Sequence, residues 1–436
     1  MGNIYNYLMT AWQEERKNNL FVLLAALVIV TIPLPYIFNS IAVIVFVVSS
    51  ILNAKNYKFN FQKILIYPIA LYLIMALSII WTIDFKTTFE ALSKELSLLL
   101  LPICFFIIQF SKADKLKILS YFSHAIFGYC VFYLIKAITR YFLTNDSSVF
   151  FYHELVTLDV NAIHVSAYCV ISFFYFLVKI NKTTFDKIAI IILAIDTILL
   201  SSKNIILTFT LLLLIYAFYN RKNAVKKSYI YIFLILTVAA STLFFNKIKE
   251  RFEIEIQSTG TEKTINNSIS DDGAVYNVTI NEAWNKDKFL YNDYFPGTAL
   301  RVYQIRIFKE LLQEENIFFT GFGLNASWAK IKEKRIEHNL YPGYEGFNFH
   351  NQYVQNFADL GVFAFLLLII MVLLTLKKAI KNKDFIHFSF AVLMISLFLT
   401  ESFLWRQRGV VFFTMLYCLL NTNSIDQNLK SKLKII

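Results

Sequence analysis

The sequence predicts an all-α polytopic membrane protein of about twelve transmembrane helices, with one large extracytoplasmic loop between helices nine and ten. Composition is the first sign. The 436-residue chain is 57% hydrophobic and 17% charged, with a mean hydropathy of +0.55; a soluble domain is nearer half apolar and a quarter charged. The second sign is a recurrence of mostly apolar windows near 20 residues, the length that spans a bilayer. The third is the alternation of basic and less basic connections between those windows.

The windows fall at 18–34, 36–53, 62–81, 95–110, 117–139, 160–180, 185–200, 204–220, 228–246, 350–376, 384–402 and 407–421. Pro33 and Pro35 in "PLPY" split the first two, because proline removes a helical hydrogen bond and ends the helix. The N-terminus "MGNIYNYLMTAWQEERKNNL" mixes acidic and basic residues and no small-residue cleavage site follows it, so the first helix is expected to insert uncleaved.

With the N-terminus inside, each inner connection is basic. Lys55, Lys58 and Lys63 lie in one, Arg221, Lys222, Lys226 and Lys227 in another, and Lys377, Lys378, Lys381 and Lys383 in a third. Each short outer turn is poorer in Lys and Arg. This positive-inside pattern supports both termini in the cytoplasm. It also explains the net charge of +12: the charge is spread over topogenic loops, which argues against a nucleic-acid surface. Cys104, Cys130, Cys169 and Cys418 all lie in apolar runs without CxxC spacing, so they are expected as buried small side chains and not as a disulfide or metal framework.

Residues 247–349 break the rhythm. This near-neutral polar insert divides the chain into helices one to nine (1–246), the large loop (247–349), and helices ten to twelve with a cytoplasmic tail (350–436). Within it, "TGTEKTINNSISDDG" reads as loop and "AVYNVTI" as a short alternating strand. Function is expected to concentrate in such a loop.

Several residues in and around the loop can carry chemistry. On a helical wheel, "ALRVYQIRIFKELLQEEN" (299–316) has an apolar stripe of Ile305, Phe308 and Leu312 with Arg301 in its middle, and Arg306 on the opposite, solvated face. A charge on a packed face needs an anionic partner; a buried carboxylate and a ligand phosphate satisfy Arg301 equally. "FFTGFGLNASW" (318–328) has only a lone GxG and reads as a turn. In "FNFHNQYVQNFADLG" (347–361), Asn351, Gln355 and Asp359 align at i, i+4, i+8. That stripe is either the wet end of a helix leaving the bilayer or a functional face. His350 at its start is then either a solvated histidine or a general base, the role for which histidine is suited near neutral pH. Lys203 in "SSKN" and Arg406 and Arg408 in "TESFLWRQRG" sit on the outer side. They either snorkel at the interface or are kept there for function, with Glu401 available to pair with Arg406 or Arg408.

Together these stretches resemble the O-antigen ligase and O-antigen polymerase superfamily of bacterial inner-membrane glycosyltransferases. "NFHNQYVQNFADLGVFAFLLL" is similar to the family's His-Asn run, which ends in an acidic residue and two spaced glycines; Phe363 or Ala364 stands at the second glycine. "ALRVYQIRIFKELLQEENIFFTGFGL" resembles its Arg–helix–GxG segment and "TESFLWRQRGVVFF" its C-terminal signature. "SSKN" stands where the family has Ser-Arg-Gly, so Lys203 keeps the charge but lacks an arginine's bidentate fork. The resemblance covers residues 190–425; the earlier spans match only in hydropathy.

The resemblance implies a GT-C-like fold in the bacterial inner membrane, with the active site facing the periplasm. It implies inverting, metal-independent transfer of a glycan from undecaprenyl diphosphate to an acceptor hydroxyl, with no cofactor and no nucleotide sugar. His350 would be the general base or the residue that orients the acceptor, and Arg301 both a catalytic and a diphosphate-binding residue. Lys203, Arg406 and Arg408 would also bind the diphosphate, and Asn351 would orient the histidine or contact sugar. The acceptor would be lipid A-core for a ligase, a growing glycan for a polymerase, or a hydroxyl side chain for a protein O-oligosaccharyltransferase; the histidine-asparagine motif late in the chain favours the ligase. A polysaccharide flippase or other transporter is the reading of another class. It predicts charges near the midplane of the spans, where few are found. A structural or receptor role for the loop predicts that His350 is dispensable.

Overall fold

A computed structural model describes residues 20–157, 159–200, 202–219, 253–256, 258–260, 263–266 and 274–424. The expected ninth span, 228–246, lies outside these residues.

The membrane part begins with α1 (Leu20–Val30) and α2 (Tyr36–Leu52). Between them the chain turns at residues 31–35, where the two prolines were expected to break the helix. Then follow α3 (Ile66–Leu77), α4 (Phe85–Glu95), α5 (Ser97–Ile107), α6 (Lys112–Thr144), the short α7 (Tyr152–Leu155), α8 (Ala162–Val178), α9 (Thr184–Leu199) and α10 (Lys203–Tyr219). Among the described residues three helical stretches are long and apolar enough to cross a membrane: Lys63–Ile80, Lys112–Thr144 and Gln352–Asn382. Five shorter apolar helices accompany them. One apolar core of buried side chains runs through these helices. Outward, α2 presents Ile37, Ile41, Ile44, Val48 and Ile51, an apolar exposed face of the kind that lipid covers. The chain is thus a predominantly helical membrane protein. All four cysteines are free and buried, as their apolar setting implied.

The insert has its own small core. Three two-residue strands, β1 (Thr264–Ile265), β2 (Tyr276–Asn277) and β3 (Asp293–Tyr294), form a sheet in that order, β1 antiparallel and β3 parallel to β2. β2 lies inside the stretch read as a strand. Helices α11 (Ile280–Asn285), α12 (Gly297–Glu314) and α13 (Ser327–Glu337) complete it. Phe289, Phe295, Tyr303, Ile307, Leu311 and Ile331 pack together there.

The insert's second core corrects the expected faces of α12. The buried stripe is Ala299, Tyr303, Ile307 and Leu311, at i, i+4, i+8 and i+12, and Arg306 is buried beside it. Ile305 is exposed and Arg301 half-buried. Arg306, expected on the solvated face, donates to Glu310 Oε1 at 2.7 Å and to the Lys286 carbonyl at 2.7 Å. Tyr303 packs against Phe289 and Phe295 in the insert's core, while Phe308 is only partly buried, beside Phe349 and Phe357.

The last three long helices are α14 (Gln352–Asn382), α15 (Phe385–Phe398) and α16 (Gln407–Asn421). α14 is broken at Gly361, with φ 76° and ψ −174°, a conformation essentially restricted to glycine. The break frees carbonyls that the GxG turn then satisfies: the Phe322 and Gly323 amides donate to Ala358 and Asp359 at 2.9 and 2.8 Å. The approach is so close that a Cβ at Gly361 would overlap the Phe319 carbonyl. Gly361→Ala is therefore expected to cost at least about 3 kcal/mol of stability, read as a lowered melting temperature in detergent; an unchanged melting temperature would contradict the geometry.

Candidate functional site

The first turns of α14 are not a wet helix end. Asn351, Gln355 and Asp359 are all buried. Asn351 Oδ1 caps the helix by accepting the Val354 amide at 3.1 Å, the role for which asparagine is favoured. Gln355 Nε2 donates to Asp359 Oδ2 at 2.9 Å and Ser327 Oγ at 3.0 Å. Gln352 Oε1 accepts the Leu404 amide at 2.7 Å. The polar stripe is an inward lattice that fixes the insert and the 401–405 turn to one helix.

His350 stands just before that helix, in the left-handed region at φ 47°. Its amide donates to Asn348 Oδ1 at 3.0 Å, and the Asn348 carbonyl accepts from Gln304 at 2.6 Å. The buried Arg335 guanidinium donates to the carbonyls of Tyr344 and Phe347, so the segment that leads to His350 is anchored to α13. Phe347 lies edge-on to the imidazole, with centroids 5.4 Å apart. The ring's Nδ1 is 3.4 Å from Glu401 Oε2.

Arg301 reaches the same place from α12. Its Nε and Nη2 donate to the Thr400 carbonyl at 3.1 and 3.0 Å, and Nη2 lies 3.4 Å from Glu401 Oε1. Glu401, which the sequence leaves available to Arg406 or Arg408, lies between His350 and Arg301. Thr400, which carries the shared carbonyl, is held by Asn204 of α10 through a 2.7 Å bond.

Lys203 pairs with Glu255 at 2.8 Å. The same carboxylate accepts the Gly297 and Thr298 amides at 3.0 and 2.9 Å, and Arg301 Nη1 donates to the Gly297 carbonyl at 3.0 Å. Lys203 and the N-terminus of α12 thus hold one anion position, at which Glu255 sits, and Arg301 bonds the same Gly297. Burial raises the Glu255 carboxyl, but Lys203 and Thr298 outweigh it and hold the group below the ordinary glutamate range.

The two remaining cations part company. Arg406 is exposed and lines a cavity of about 600 Å³ that His350 and Glu401 also line. Arg408 is buried on the other side of the 401–408 turn. It donates to the carbonyls of Ile32 (3.1 Å), Leu34 (2.9 Å) and Asp159, and its guanidinium lies 4.0 Å over the Tyr36 ring. The structure therefore brings His350, Arg301 and Lys203 together around Glu401 and Glu255, keeps Arg406 on the cavity wall, and places Arg408 in the packing between the 32–36 turn and Asp159.

Sequence reasoning missed Glu255, and it missed Tyr152, His153, Asn161 and Trp405, which line the same cavity. Glu255 lies in "RFEIEIQ", which has no motif; only its 52-residue contact with Lys203 reveals it. Residues 188–369 match the family model described as O-antigen ligase. The match takes in Lys203, Arg301, His350 and Asn351 and ends before Glu401. No curated protein matches the chain.

Proposed function

We propose that this chain, whose residues 188–369 match the family model described as O-antigen ligase, transfers a glycan from undecaprenyl diphosphate to an acceptor hydroxyl, lipid A-core in the first instance. The carrying observation is the convergence of His350 and Arg301 on Glu401, which lines one cavity together with His350. A donor N–H at His350 Nδ1 facing Glu401 leaves Nε2 with the lone pair. Nε2 takes the proton of the acceptor hydroxyl, whose oxygen attacks the anomeric carbon from the face opposite the diphosphate. The C1–O bond to the diphosphate breaks, and configuration inverts. Negative charge then grows on the leaving diphosphate, and Arg301 and Lys203 are placed to stabilise it. An arginine suits this role because its planar fork donates paired bonds and keeps its proton.

In this reading the enzyme sits in the bacterial inner membrane, with both termini cytoplasmic and the 247–349 loop facing the periplasm. Glu255 occupies the diphosphate position until the donor displaces it. Glu255→Gln removes the competing charge and keeps hydrogen-bonding capacity. Donor KM is expected to fall about fivefold, the equivalent of about 1 kcal/mol for one ion pair, and a risen donor KM would contradict the displacement.

The function is tested by deleting the gene in its host and sizing the undecaprenyl-diphosphate-linked glycan that accumulates. Long chains stranded on the carrier are the expected result for a ligase. Single stranded repeat units would transfer the reading to a polymerase on the same carrier. An unchanged lipid-linked pool would overturn both.

A further inference from the structure

α4 (Phe85–Glu95) supplies no residue to the site described above, and its side chains divide into three sectors. At about 100° per residue, Thr88, Ala91, Leu92 and Glu95 fall together, and all four are buried. Beside them lie Phe85, Phe89 and the C-cap residue Leu96, which are 62%, 62% and 37% exposed. The Phe85 and Phe89 rings stack, with centroids 6.0 Å apart and planes 13° from parallel. Lys86, Glu90 and Lys94 make the third sector, on the side away from the protein, and are exposed.

This division selects one environment. Eleven residues rise only about 16 Å, short of the hydrocarbon thickness of about 30 Å. The charged sector runs along the whole helix, so no turn of it can be fully immersed in hydrocarbon. The apolar sector runs along it as well, so full immersion in water leaves two phenylalanines uncovered. A helix with protein on one side, a strip of large apolar side chains on the next and charges on the third fits where protein, hydrocarbon and water meet.

The neighbouring surface continues the strip. The apolar stretch Lys63–Ile80, long enough to cross a membrane, ends just before α4, and Ile80 and Ile83 are exposed there. Trp81 donates Nε1 to the Thr320 carbonyl at 2.8 Å, and Phe319 beside it lies 6.1 Å from Phe363 on α14. Aromatic side chains of this kind gather at the membrane–water boundary. On the protein side α4 is fastened to the GxG turn. The Ile83 amide donates to the Phe322 carbonyl at 3.0 Å, and Thr88 Oγ1 to the Leu324 carbonyl at 2.9 Å. A Cβ at Gly323 would overlap the Thr82 side chain. The same turn binds the broken start of α14, which His350 precedes.

We propose that α4 is an in-plane membrane anchor. Phe85, Phe89 and Leu96 enter the bilayer near the headgroup–acyl boundary, Lys86, Glu90 and Lys94 face water, and the GxG turn is held at the bilayer surface on the insert's side. The partner is the lipid bilayer itself, and the anchor is independent of the reaction proposed above.

The test uses the full chain in phosphatidylethanolamine–phosphatidylglycerol nanodiscs. Phe89→Cys and Lys94→Cys each carry a fluorescent nitrobenzoxadiazole label; the native cysteines are buried, and labelled wild-type protein serves as the blank. Quenchers are phosphatidylcholine with a doxyl group at acyl carbon 5 or 12, and iodide in the water. The label at 89 is expected to be quenched about threefold more by the 5-doxyl than by the 12-doxyl lipid and to be shielded from iodide, as for a helix seated in the interface. The label at 94 is expected to be quenched mainly by iodide. Phe85→Cys, one turn earlier, gives the same reading should Phe89→Cys fail to fold. Iodide quenching at 89 equal to that at 94 would put the face in water and overturn the proposal. So would stronger quenching by the 12-doxyl lipid, which would place α4 inside the hydrocarbon. A label at 89 that no quencher reaches would also overturn it, since the face would then be covered by protein.

Discussion

His350→Ala is expected to lower the transfer rate by about 10²- to 10⁴-fold, the range over which a positioned general base contributes, with donor KM nearly unchanged. The side chain touches Phe347 and Glu401 and is 28% exposed, and its backbone contacts do not need the imidazole. The variant should therefore fold with a melting temperature near the wild-type value. Single-turnover rates with a radiolabelled lipid-linked donor make the measurement. Added imidazole should restore part of the lost rate, because the variant leaves space beside Glu401 for a soluble base. A variant that transfers glycan at the wild-type rate would remove the general base and return the loop to a structural role.

Arg301→Ala and Arg306→Ala, five residues apart on one helix, should fail in different ways. Arg301 faces Thr400, Glu401 and Gly297, so its loss is expected to slow transfer by about 10²- to 10³-fold, as for removal of one preorganised charge-stabilising donor. Donor KM should rise with it, and the melting temperature should hold. Arg306 is buried against Glu310 and the Lys286 carbonyl. Its loss leaves Glu310 beside His338, at 3.4 Å, without its guanidinium. Instability of about 2 kcal/mol is expected, with both KM values near wild type. Paired melting curves and kinetics separate the two; a stable, slow Arg306 variant would mean that α12 is turned the other way at the site.

Several apolar helices were legible in the sequence, because apolar runs, prolines and caps act within a turn or two, whereas α4, α11 and α13 were not among the expected elements. The PLPY break, the α12 segment, the β2 strand and the glycine turn at 321–323 all follow from local chemistry. The face of α12 did not follow. Ile305, Phe308 and Leu312 form a plausible stripe, but which stripe is buried depends on distant partners such as Phe289 and Phe295, and no window of α12 carries that information. The polar start of α14 was ambiguous for the same reason: amides read as solvent-facing until Gln355 is seen to bind Ser327 and Gln352 to bind Leu404. Of the candidate site, His350, Arg301 and Lys203 were found through motif. Their carboxylate partners were not, since Glu401 lies 100 residues from Arg301 and 51 from His350, and Glu255 carries no motif.

The most direct test is reconstitution. The full chain in nanodiscs is given the host's undecaprenyl-diphosphate-linked glycan and lipid A-core, and both released carrier and product linkage are followed. The predicted result is one undecaprenyl diphosphate released for each glycan transferred, inverted configuration at the new linkage, and loss of both with His350→Ala. No release, or release and transfer that persist without His350, would contradict the account.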